Sequence, residues 1–262
     1  MNNSRRQFLK VAGISAFALG SGVAGSLLAS GAGAATVKGS YERNTKGLKA
    51  GRWAMVIDTR KFRTDADFAA VINACHKTHN VPNIPGDQNI KWMWTDLYDN
   101  VFTDDQNSML PQKMVKGKYL LLCNHCTNPP CVRVCPTQAT FKMADGTVAM
   151  DYHRCIGCRF CMAGCPYGAR SFNYMDPRKH LENPYPNPAY PTRMAGVVEK
   201  CTFCTERLAV GLMPACVEAS NGAILFGDLN DPHSNVRKAL EENYNIRRKP
   251  TLGTQPGVYY LV

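Results

Sequence analysis

The cysteine spacing between residues 123 and 165 constrains this chain more than any other feature. Cys123, Cys126, Cys131 and Cys135, closed by Pro136, form C-x2-C-x4-C-x3-C-P; Cys155, Cys158, Cys161 and Cys165, closed by Pro166, form C-x2-C-x2-C-x3-C-P. The second spacing is that of loops that bind cubane [4Fe–4S] clusters, and the first is the same run with a longer middle gap. Three thiolates on one tight loop reach three corners of the cube, while the fourth, held by the turn that ends in proline, ligates the neighbouring cluster. The spacing therefore predicts one cluster on Cys123, Cys126, Cys131 and Cys165 and another on Cys155, Cys158, Cys161 and Cys135. Paired C-x2-C runs also build structural zinc sites, and an even number of cysteines in an exported chain can form a disulfide framework. Zinc needs no crossed fourth cysteine before a proline, and adjacent C-x2-C thiols are poor partners for long-range disulfides. Iron–sulfur ligation is the reading that uses every feature of both runs.

Of the 12 cysteines, Cys75, Cys201, Cys204 and Cys216 remain. Under the crossed rule, three from a C-terminal run and the fourth of an N-terminal run complete one further site. The positions a fourth site would need hold Asp65, Phe68, Val71 and Ser220. One whole ligand set is missing and another is whole, so the expected cofactors are three [4Fe–4S] clusters with a fourth site emptied. Asp65 or Ser220 could in principle offer oxygen to a relict cluster, but the three-thiolate loop that would anchor it is absent. His125 lies inside the first run, and His76 and His79 follow Cys75. Because thiolates already fill every corner, these histidines are expected in supporting or surface roles.

The chain opens with Ser4-Arg5-Arg6-Gln7-Phe8-Leu9-Lys10 and a weakly apolar stretch over 11–29. This reads as a twin-arginine export signal over 1–34, with an A-x-A-like cleavage site at Ala32-Gly33-Ala34. An uncleaved membrane anchor is the alternative, although its many glycines make a poor spanning helix. The twin-arginine route carries proteins already folded with their cofactors, so the expected location is periplasmic, at the outer face of the cytoplasmic membrane. Net charge is +11, falling to +8 when Arg5, Arg6 and Lys10 leave with the signal. That surface suits acidic partners or a membrane surface, or part of the charge offsets the thiolates. Basic runs interleaved with aromatics are missing, so nucleic acid is not an expected partner.

Along the chain, residues 35–52 read as an extended arm, 53–58 as a strand and 65–78 as a helix. A long connection over 81–118 carries Trp92, Trp94, Tyr98 and Phe102, aromatics expected to pack beneath it. Asp145-Gly146 between two β-like runs signals a hairpin. Short strands are expected over 169–174 and 223–227, a proline-rich loop over 176–196, a helix over 236–244 and an irregular tail. The expected fold class is α+β: tandem or duplicated bacterial two-cluster ferredoxin-like modules with long loop insertions and little regular secondary structure. Residues 119–196 would form an inserted two-cluster module, and 35–118 with 197–262 an outer module that keeps one cluster and has lost one. No nucleophile or acid–base pair stands out, so the chain is not expected to be an enzyme by itself.

The stretches 123–140, 154–170 and 200–220 resemble the four-cluster ferredoxin-like electron-transfer subunits of complex iron–sulfur oxidoreductases. Within that family the chain is most similar to the periplasmic O subunits of the Dsr transmembrane complex of sulfur metabolism, through 55–58, 74–76, 80–82 and 246–254. The resemblance implies a relay of electrons between two partners: an NrfD-like integral membrane, quinone-interacting subunit and a periplasmic multihaem cytochrome c. Phe68, Val71 and Ser220 depart from the family's cysteines, and in the O-subunit spacing Phe62 replaces Asp65 as the first missing ligand. Two rival readings are the iron–sulfur subunit of an exported molybdopterin oxidoreductase and a metal- or disulfide-stabilised binding protein without redox function.

Overall fold

The computed structural model describes residues 44–106, 108–181 and 187–262. The export signal, its cleavage site and residues 35–43 of the 35–52 arm lie outside the described residues. Strand β1 (Trp53–Asp58) is buried along its whole length. A strand buried on both faces must sit between neighbours with both surfaces covered. The other strands are β2 (Met93–Leu97), β3 (Lys118–Leu122), β4 (Thr140–Lys142), β5 (Val148–Met150), β6 (Ser171–Phe172), β7 (Val198–Glu199), β8 (Ile224–Asp228), β9 (Asn245–Ile246) and β10 (Val258–Leu261). The main sheet runs β8-β1-β10-β9, with β1 antiparallel to β8 and parallel to β10. Strands β2–β3, β4–β5 and β6–β7 form three separate antiparallel ribbons.

Period-two alternation sends the two faces of β1 to different cores. Trp53, Met55 and Ile57 join the large core with Trp92, Phe102, Leu120 and Tyr260. Ala54 and Val56 pack on Val236 and Ala239 of the helix Asn235–Glu242. The long helix Asp65–Thr78 begins at a capping box: Asp67 N–H reaches Thr64 Oγ1, and Thr64 N–H donates to Asp67 Oδ2 at 2.8 Å. That reciprocal pairing satisfies two donors that a helix start otherwise leaves open. It fixes the face on which Phe68, Val71 and Cys75 turn inward.

The helix over 65–78, strand β1 and the Asp145-Gly146 hairpin fall where the sequence places them, and mixed α+β content with small sheets agrees with the expected class. Two segments differ. The 81–118 connection contains β2, which pairs with β3 in register Met93↔Leu122 to Leu97↔Lys118. Thr95 and Asp96 interrupt its apolar pattern, because a two-stranded ribbon leaves part of its surface to solvent. The tail is not irregular: β10 lies beside β1, with Met55 opposite Val258. A parallel pairing between distant segments leaves no local turn signal to read. Among the described residues, no helix is long and apolar enough to cross a membrane.

Candidate metal centres

The first thiol group forms where β3 ends. Cys123 and Cys126 flank His125, which adopts φ +41, so the chain turns back at once after the strand. Cys131 sits in the one-turn helix Pro130–Arg133, and Cys165 follows the matching helix Phe160–Ala163. All four cysteines line one cavity, closed by Pro129, Pro130, Val148, Pro166, Tyr167 and Arg170. Cys165, from the second run, thus stands with three cysteines of the first. Burial, then the neighbouring Cys123, pushes the Cys126 thiol up to about 12, and Cys165 rises for the same two reasons. Four thiols crowded into one apolar cavity are a poor state for a bare protein. A bound iron–sulfur cube, which stabilises thiolate over thiol, suits this donor set.

The second group meets the first through a small apolar cluster. Cys161 and Cys131 lie in one small apolar cluster with Val148 and Val198, and Cys155 packs against it. Cys158 is exposed on the same loop, and Cys135 is half-buried at the turn after Cys131. Burial opposes ionisation of Cys135, but the amides of Thr140, Thr137 and Ala139 and the Thr137 hydroxyl bring its thiol below the ordinary value. Gly157 has φ +70, and a Cβ there would stand 2.3 Å from the Gly196 carbonyl oxygen. Only glycine lets the Cys155–Cys158 loop approach the chain this closely.

The third group draws from three distant segments. Cys201 and Cys204 flank a loop in which Phe203 and Cys204 both have positive φ, Cys216 lies in the one-turn helix Ala215–Glu218, and Cys75 sits in the last turn of the long helix. All four are buried. Burial pushes the Cys75 thiol well up, and charge on Cys201, Cys204 or Cys216 would push it further. His79 binds this group to the core: Nδ1 lies 2.7 Å from the Cys75 carbonyl and Nε2 lies 2.8 Å from Glu206 Oε1. Its ring stacks on Trp92, whose Nε1–H donates 2.8 Å to Glu199, itself paired with the buried Arg193.

The groups follow one another in space. Cys161 faces Cys131, and Cys201 faces Cys123, so the 123–131 group lies between the other two. Across the second seam, the His125 ring stacks on Phe203 with centroids 3.6 Å apart and planes 17° apart. His125 and His79 are therefore buried, not on the surface, and His125 accepts from the Val148 amide through Nδ1 at 3.1 Å. Burial, then Lys200 and Arg170, hold the His125 imidazole well below its ordinary value. Sequence reasoning missed Phe203, Lys200 and Arg170 because each is an ordinary residue whose importance comes from what the fold places opposite it.

The residues that stand where the cysteine spacing would put a fourth ligand set have other roles. Phe62 stacks on Phe68 at 4.8 Å, and Phe68 and Val71 belong to the main core. The Ser220 hydroxyl donates to the Val217 carbonyl at 2.7 Å and accepts from the Ile224 amide at 3.0 Å, so it serves its own turn. Asp65 points to solvent and pairs with Lys118 at 2.7 Å. A hollow beside Phe62 is lined by Ala219 and Ser220 and has no cysteine in its lining.

Cysteine-lined loops, with a cysteine of one run standing among those of another, wrapped by small sheets and one-turn helices, define a ferredoxin-type iron–sulfur protein. Residues 119–179 match the 4Fe-4S dicluster domain family. The Hdr-like menaquinol oxidoreductase iron–sulfur subunit 1 of Archaeoglobus fulgidus is 41% identical over 232 residues, 80% of this chain and 82% of its own. The menaquinone reductase iron–sulfur cluster-binding subunit of Nitratidesulfovibrio vulgaris is 35% identical over 238 residues, 80% of this chain and 88% of its own. The NrfC homolog of Haemophilus influenzae is 33% identical over 226 residues, 85% of this chain and 85% of its own. The chain belongs to the ferredoxin-like [4Fe–4S] iron–sulfur subunits of oxidoreductases, and its function is electron transfer.

Proposed function

We propose that this chain is a three-cluster relay. Cys123, Cys126, Cys131 and Cys165 would hold the middle [4Fe–4S] cluster. Cys155, Cys158, Cys161 and Cys135 would hold one outer cluster, and Cys201, Cys204, Cys216 and Cys75 the other. The observation that carries this reading is the cavity shared by Cys123, Cys126, Cys131 and Cys165, because it joins thiols of two runs as the crossed ligand rule requires. When bound, each cluster supplies a one-electron couple. The protein's own part is to exclude water from the buried thiols, fix their spacing and bridge neighbouring groups, as the His125–Phe203 stack does. The missing fourth site is terminal in this reading, so the remaining three centres form an unbroken series. The chain by itself would not be a catalyst.

We place the relay in a membrane complex with a quinone-interacting NrfD-like subunit, reached from the outer face after twin-arginine export, with a periplasmic multihaem cytochrome c as the second redox partner. Support for the quinone side comes from the two relatives named for menaquinol and menaquinone, each covering about four-fifths of this chain. A sulfur-metabolism complex of the Dsr type is the setting that the sequence resemblance favours. Iron and acid-labile sulfide per chain, measured anaerobically with EPR of the reduced protein, test the reading. About twelve irons, four for each cluster, are expected. About sixteen would mean that a fourth site is rescued, and little or no iron with oxidised thiols would remove the assignment. Co-purification with a molybdenum-containing subunit would move the chain to the exported molybdopterin oxidoreductases.

A further inference from the structure

Two cations are buried beside the middle thiol group, and among the described residues neither has a carboxylate partner. Lys200 is 0% exposed, and its ammonium donates to the carbonyl oxygens of Val148 and Cys201. Arg170 is 4% exposed and donates to Thr140 Oγ1 at 2.8 Å, to Cys131 Sγ at 3.0 Å and, more distantly, to the Met150 sulfur. Neither forms an ion pair with Asp or Glu among the described residues. The buried Arg193, by contrast, has Glu199 at 2.6 Å. A charge taken out of water is costly unless an opposite charge meets it. The groups able to carry negative charge toward Lys200 are Cys123, Cys201 and Cys131, and toward Arg170 they are Cys131, Cys161 and Cys123.

The placement is uneven along the series. Both cations face Cys123 and Cys131. Lys200 also faces the third group, through Cys201, and Arg170 the second, through Cys161. The third group also meets an opposing charge, since Glu206 faces Cys75 and Cys204. Resting on the three-cluster reading, we propose that Lys200 and Arg170 are the built-in counter-charge of the middle cluster. They raise its reduction potential above those of both outer clusters, so that an electron in transit dwells at the centre of the relay. Uptake of one electron from the donor partner adds one negative charge there, and its departure to the acceptor removes it; no bond forms or breaks. A fixed cation in a low-dielectric site favours the more negative form.

The test is an EPR-monitored redox titration of the full chain, purified anaerobically with its clusters, with Cys126→Ser used to mark the middle centre's signals. Lys200→Met and Arg170→Gln should each lower the middle midpoint by at least tenfold in its reduction equilibrium constant, which is 59 mV for a one-electron couple. Lys200→Arg and Arg170→Lys should leave it within about threefold, because the charge stays. The outer midpoints should move less than the middle one in every variant. A neutral variant with about twelve irons and an unmoved middle midpoint would overturn the proposal. So would an outer midpoint that moves more than the middle one. If a neutral variant loses only the middle signals while its charge-keeping counterpart retains them, the counter-charge role stands. If both lose them, the residues act by shape and the proposal fails. A wild-type protein with little iron would instead defeat the cluster reading itself.

Discussion

Gly157→Ala should cost the protein one cluster out of three. Two effects act at this position. A left-handed backbone at φ +70 strains an L-residue by about 1–2 kcal/mol. The larger effect is contact: the new Cβ would stand 2.3 Å from the Gly196 carbonyl oxygen and 3.1 Å from Phe172 Cε2, where ordinary contact begins near 3.4 Å. One of the two backbones must therefore retreat by about 1 Å. Gly157 lies between Cys155 and Cys158, and metal–ligand distances tolerate only about ±0.2 Å. The shift exceeds that tolerance several-fold, so the thiols of this loop would no longer close on a cube. Iron should fall from about twelve to about eight per chain, with the EPR signals of one outer centre lost and the other two kept. Gly168→Ala is the control. Gly168 has φ +63 but nothing within 4 Å of an added Cβ, so it suffers the strain without the clash and should keep all its iron. Full iron and unchanged spectra in Gly157→Ala, or equal loss in both variants, would refute the reasoning.

Phe68→Ala removes half of the aromatic stack with Phe62 and should destabilise the protein by about 3 kcal/mol without changing the iron content. Thermal inactivation and iron assay in parallel check this, and a change in iron would give Phe68 a ligand-site role. Arg193→Met leaves Glu199 buried and unpaired, which should cost about 3–5 kcal/mol, measured as a lowered Cm in denaturant. For Asp228, burial opposes ionisation, but the amides of Gly51, Asn230 and Arg52 hold the carboxyl below its ordinary 3.8. Its folded pKa is depressed, so its contribution is complete above about pH 4 and disappears as pH falls through the folded value. Asp228→Asn should abolish that part of the acid dependence, seen as a smaller stability difference between pH 7 and pH 3.

The iron–sulfur chemistry was legible in the cysteine spacing. Ligand grammar is local: a cube needs three thiolates from one loop, and that requirement is written as short fixed gaps. The same grammar grouped Cys75, Cys201, Cys204 and Cys216 as a set and marked a fourth set as missing. Helix Asp65–Thr78 was also legible, because its capping box and apolar spacing lie within one segment. Which group stands in the middle came from the fold, since that follows from Cys123 meeting Cys201 and Cys131 meeting Cys161. It alone revealed that Phe62, Phe68 and Val71 pack together at the core, that His125 stacks on Phe203, and that Lys200 and Arg170 are buried with no carboxylate partner among the described residues. It alone paired β10 with β1. Each of these depends on residues far apart in the chain meeting across a core, and the energy of such a contact belongs to the pair, so neither residue's local sequence records it.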